Sequence, residues 1–117
     1  MKRLTRAEFL LQPEGTFYFK ESDRSLCIKH ERAGSNDWWY LELAAVEPPD
    51  ADGRDMADAV HEAETAMIEQ GISLPMYDTL GRDGLFDEDE TFFVYELTDL
   101  ANLQEKIGAA IRAATRP

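Results

Sequence analysis

The chain has 117 residues, of which 44% are hydrophobic and 12 aromatic, enough to bury a core and too many for a disordered segment. Its one cysteine, Cys27, excludes an intramolecular disulfide and a thiolate metal cluster and suits a reducing compartment. The net charge of −12 is regional: residues 1–36 carry +2, residues 37–105 carry −17 and residues 106–117 carry +3, which argues against direct nucleic-acid binding by the acidic region.

Met1-Lys2-Arg3-Leu4 leads into a charged segment and not into an apolar signal core, and the apolar runs are only a few residues long. A soluble, cytoplasmic protein with no targeting segment and no membrane span is expected. Thr5-Arg6-Ala7-Glu8 has the capping-box pattern ahead of Phe9, Leu10 and Leu11, which predicts a short helix over 5–11 ended by Pro13 and Gly15. Phe17 and Phe19 then alternate with Tyr18 and Lys20 as in a strand. After a turn at Ser22 to Ser25, Leu26, Ile28 and His30 alternate with Cys27, Lys29 and Glu31. A second turn at Ala33 to Asp37 leads to a third strand, Trp38 to Val46, closing an antiparallel meander.

The Pro48-Pro49-Asp50-Ala51-Asp52-Gly53 run predicts a loop. From Asp55 to Gln70, Met56, Ala59, Val60, Ala63 and Met67 recur at helical spacing, with Gly71 placed as C-cap. The opposite face presents Asp55, Asp58, Glu62 and Glu69, and no Lys or Arg occurs among residues 55–81. Without i,i+4 ion pairs this helix depends on tertiary burial. Residues 72–84, with Pro75 and two glycines, read as irregular. Thr91 to Leu97 reads as another strand, and Thr98 as the N-cap of a last helix with an apolar stripe of Leu100, Leu103, Ile107, Ile111 and Ala114.

The expected architecture is a single α+β domain: a three-stranded antiparallel meander plus a fourth strand, packed by two main helices and a short N-terminal helix. Trp38 and Tyr40 share one face of the third strand, Trp39 and Leu41 the other. Aromatics on a solvent-facing side would be anchors for a protein partner, unless helix 5–11 or the 72–84 segment covers them.

The stretch Gly81-Arg82-Asp83-Gly84-Leu85-Phe86-Asp87-Glu88-Asp89-Glu90 invites comparison with a calcium loop over 79–90. Thr79 and Gly81 occupy positions that should supply carboxylates, and a strand follows where a helix should, so no metal site is expected. Cys27 and His30, three apart on a strand, point to opposite faces and cannot form a nucleophile and base locally. His30, beside Leu26 and Ile28, is expected to be half-buried, and His61 to lie on the acidic helix. No phosphate loop, nucleotide fingerprint or nucleophile elbow occurs, and neither an enzyme nor a cofactor is expected.

The segments Gly71 to Pro75, Gly81 to Asp87 and Phe92 to Tyr95, with Leu4 to Leu10 and Pro13 to Thr16, resemble small acidic accessory proteins of tailed bacteriophages. That resemblance implies a phage accessory gene, of a kind that includes host-defence inhibitors such as anti-CRISPR proteins and nucleic-acid mimics, and it carries over no catalytic residue. The function expected is then a non-enzymatic acidic inhibitor or adaptor, acting as a monomer on a basic surface of a nuclease, helicase or guide complex. Its partner-binding residues would be Asp55, Asp58, Glu62, Glu69, Asp83, Asp87, Glu88, Asp89 and Glu90, with Trp38 and Tyr40 as anchors. A virion assembly protein using the aromatic sheet face is the alternative, and a small carboxylate-dependent hydrolase a second.

Overall fold

The capping box at Thr5 forms: the Glu8 amide donates to Thr5 Oγ1 (3.3 Å) and the Thr5 amide to Glu8 Oε1 (3.0 Å), opening α1 (Arg6–Leu10). The structure, a computed structural model, describes residues 1–49, 55–84 and 87–116; the loop expected at Asp50 to Gly53 and the Leu85-Phe86 pair lie outside them. The fold is α+β. Six strands, β1 (Lys2–Leu4), β2 (Phe17–Lys20), β3 (Cys27–Arg32), β4 (Trp38–Val46), β5 (Met76–Arg82) and β6 (Phe92–Val94), join in the order β1-β6-β2-β3-β4-β5, every pair antiparallel.

The meander β2-β3-β4 and the fourth strand, β6, stand as expected, and two further strands, β1 and β5, are added to them. β1 is only three residues and too short to carry a period. β5 forms where Pro75 and glycine suggested irregular chain: the proline precedes its first residue, and Gly81 pairs with Tyr40 across β4. A Cβ on Gly81 would lie 2.8 Å from the Tyr40 ring, so the glycine is a site of close approach and not a breaker.

One face of the sheet and α1 enclose the core of Leu4, Phe9, Tyr18, Cys27, Trp38, Phe92 and Val94. Phe9 is its centre, 4.5 Å from the Tyr18 ring, 4.8 Å from Trp38 and stacked at 4.5 Å on Phe92. Trp38 Nε1 donates to Tyr18 Oη at 3.0 Å, which satisfies the indole and turns Tyr18 inward. Phe17 and Phe19 therefore face outward, where Phe19 stacks on Phe93 at 4.9 Å under the guanidinium of Arg24. Lys29 is also buried: its ammonium donates to the carbonyls of Phe9, Leu10 and Gln12, closing the end of α1. Burial pulls its pKa down.

Helix α2 (Met56–Gln70) follows its sequence signals, with Asp55 as N-cap and Gly71 left-handed at φ 66°; it lies against β4 and buries Ala59 and Ala63. Helix α3 (Leu97–Ala114) is capped by Glu96 and not by Thr98, because the Glu96 amide donates to Asp99 Oδ2 (2.8 Å) and the chain turns helical just past β6. None of its residues is buried. His30 is exposed, since Cys27 and Lys29 are the β3 residues turned to the core. Among the described residues no helix is long and apolar enough to cross a membrane.

Candidate partner-binding surface

The carboxylates singled out in the sequence divide into two groups. Asp83 and Glu90 are buried; Asp55, Asp58, Glu62, Glu69, Asp87, Glu88 and Asp89 are exposed.

The buried group is built where β5 ends. Asp83 Oδ2 accepts from Arg6 Nη1 at 2.9 Å and Oδ1 pairs with Lys20 Nζ at 2.7 Å. Arg6 also donates through Nη2 to the carbonyls of Asn36 (2.8 Å) and Gly84 (2.9 Å), and its guanidinium sits 4.7 Å over the Trp38 ring. Gly84, at φ 74°, takes the left-handed turn that a side chain would resist, and its amide donates to Asp37 Oδ1 at 2.8 Å. Asp37 accepts in addition from the Trp38 amide (2.8 Å) and Arg82 Nε (2.6 Å). Burial pushes the Asp37 pKa up, but Arg82 and the two amides outweigh it and hold the carboxyl below its ordinary value. For Lys20 burial pulls down, and Asp83 more than offsets that, so its pKa is raised.

Glu90 closes the same region by accepting from the Ser22 amide (3.1 Å) and hydroxyl. Arg6, Lys20, Ser22, Asp83, Asp87 and Glu90 thus line one polar cavity of about 140 Å³. Asp83 ties the end of β5 to α1 and β2, and Glu90 ties the following connection to Ser22; both are buried and are removed from the expected partner surface. Trp38 is removed from it too: with 0% exposure it belongs to the core and cannot anchor a partner, while Tyr40 is half-buried over Gly81. Phe9 and Arg6 of α1 are what cover Trp38.

The other seven lie on the surface. Asp55 spends one oxygen on the Ala57 and Asp58 amides as N-cap. Asp58, Glu62, Glu64 and Glu69 project from α2, whose first turn holds an acid and whose last turn holds no base. His61 is exposed among them. Asp87, Glu88 and Asp89 form a short outward turn in which Asp87 Oδ1 accepts from the Asp89 amide at 3.0 Å.

Two apolar surfaces are exposed that the sequence reading did not place outside. The aromatic row Phe17, Phe19, Phe93 and Tyr95 lies half-exposed on β2, on β6 and just past the end of β6. Its signal was present in the Phe17, Phe19 alternation, but only the Trp38–Tyr18 bond decides which side is inward. The second is the apolar stripe of α3, which borders a groove of about 400 Å³ with Phe17.

As to chemistry, burial, followed by Glu42 and Asp23, pushes the Cys27 thiol up to about 12, so it stays protonated, and its Sγ donates to the Ser25 carbonyl. Among the described residues no cluster of three or more His, Cys, Asp or Glu could hold a metal ion. No protein-family model matches the chain, nor does any curated protein or solved structure.

Proposed function

We propose that the chain is a non-enzymatic acidic docking protein whose exposed α2 carboxylates, Asp58, Glu62, Glu64 and Glu69, with Asp87, Glu88 and Asp89, engage a basic surface of a nucleic-acid-handling protein. The observation that carries this reading is the outer face of α2: four exposed carboxylates over three turns, with no Lys or Arg among residues 55–81. Such a face opposes its own folding through like-charge repulsion, a cost that a cationic partner would relieve. Carboxylates at helical spacing take the place of phosphates in a cationic groove, giving fast, salt-sensitive encounter. The inhibitory, anti-defence form of the proposal draws on the resemblance to small acidic phage accessory proteins.

The test is charge reversal with a partner captured from host lysate. Asp58→Lys, Glu62→Lys and Glu69→Lys combined, and separately Asp87→Lys, Glu88→Lys and Asp89→Lys, change only exposed positions. Either set should weaken binding by roughly two orders of magnitude and flatten its salt dependence. Affinity unchanged by both sets would overturn the reading. An assembly role is the second reading, favoured by the apolar face of α3.

A further inference from the structure

Helix α3 carries an apolar stripe that stays largely exposed among the described residues. Ile107 is 52% exposed, Ile111 59% and Leu97, at its flank, 82%, while Leu100 and Leu103 are half-buried beside Phe17. The chain's radius of gyration is 16.7 Å, against about 13 Å for a compact domain of this length, as expected when a terminal helix of about 27 Å stands clear of the core. An isolated helix of this length holds little stability in water without a packed face. Exposed aliphatic side chains in register along one side are the mark of a surface that is covered in use.

Charge indicates what covers it. Residues 96–116 hold three acids, Glu96, Asp99 and Glu105, and three bases, Lys106, Arg112 and Arg116, so the whole net charge of −12 resides elsewhere. α3 is a long, exposed and neutral helix, through which two strongly acidic copies can approach without net repulsion. Its acids lie in the first half and its bases in the second, which makes the helix complementary to itself when reversed. Asp99 and Lys106, two turns apart, border the same edge of the stripe; a two-fold axis sets that edge against itself, so each Asp99 faces the Lys106 of the other copy. Asp99 already holds the Met1 ammonium at 2.9 Å, and Lys106 donates to Asn102 Oδ1 at 2.9 Å, so both are oriented at the rim and neither blocks the stripe.

We propose that the outer face of α3 is a self-association surface that takes the α3 of a second copy of this chain in antiparallel, two-fold pairing. The pairing closes on itself, so it yields a dimer and not a filament, and it replaces the monomer that the sequence suggests. It stands independently of the acidic docking reading, since it uses no α2 residue.

Sedimentation of the full chain at micromolar concentration should give twice the 13.3 kDa chain mass. Ile107→Glu with Ile111→Glu, both at positions already half-exposed, should leave the far-ultraviolet dichroism intact and weaken association about 100-fold. Lys106→Glu alone should weaken it about tenfold. Orientation is read by cross-linking: with Asp99 opposite Lys106, Leu97 faces position 108 of the other copy, so Leu97→Cys and Gly108→Cys proteins, oxidised as a mixture, should form the mixed disulfide and not either self-disulfide, with the buried native Cys27 outside the reaction. A monomeric wild-type chain, a dimer indifferent to the glutamate pair, or self-disulfides at Leu97→Cys would each overturn the proposal.

Discussion

The carboxylates at the end of β5 and those on α2 are the same chemical groups put to opposite uses. Asp83 accepts from Arg6 and is ion-paired with Lys20, Asp37 accepts from Arg82 and the amides of Trp38 and Gly84, and both are buried. The α2 carboxylates face water on a stretch without a cation. A buried charge holds a fold together only when it is fully partnered, whereas an exposed run of like charge works against the fold that carries it. The two regions should therefore respond with opposite sign to the loss of a negative charge.

The largest response is expected at the buried end. Asp83→Ala leaves Arg6 and Lys20 facing each other without their shared anion and should cost about 3–5 kcal/mol in urea unfolding. A loss below about 1 kcal/mol would show that the network is ornamental to stability. Gly81→Ala tests how tightly β5 is laid on β4 to present Asp83: its methyl meets the Tyr40 ring, and about 1–3 kcal/mol should be lost. A neutral result would mean that the ring moves aside freely.

Acid should act next. The Asp37 pKa is held below its ordinary 3.8, so the fold favours the ionised form. That contribution is fully present above pH 3.8 and is lost as pH falls through the lower folded value. Thermal melts across that acid range should show a decline that Asp37→Asn makes shallower, and parallel curves for the two proteins would contradict the assignment. The smallest effect is expected on α2 and with the reverse sign. Glu69→Lys replaces an acid by a base in the last turn, where the helix dipole prefers a cation, and should raise stability by about 0.3–1 kcal/mol. A destabilised Glu69→Lys would mean that the α2 acids are partnered inside the fold and would end the contrast.

Much of the local structure was legible before any fold was in view. The Thr5–Glu8 capping box, the Gly71 cap of α2 and the strand Trp38–Val46 all stand where their residues put them, because caps and alternation are read from neighbours in sequence. Legibility failed where the deciding partner was distant. β5 looked irregular because Gly81 is explained only by the Tyr40 ring across the ladder. Trp38 looked available as an anchor because only α1, with Phe9, fills the space above it. Asp83 and Glu90 looked like members of an acidic surface because Arg6, Lys20 and Ser22 are remote in the chain. The stripe of α3 was visible as a stripe, and its exposure was not, since periodicity reports that a face is apolar and never what lies against it.

The sequence by itself determined the α+β class, the acidic character of residues 37–105, the neutrality of residues 96–116 and most helix ends, all of which follow from composition and short-range bonding. Tertiary structure alone decided which face of each strand is inside and which of otherwise similar carboxylates are structural. Both depend on pairing between residues far apart in the chain, where hydrogen-bond partners and desolvation set the sign of a charge's contribution.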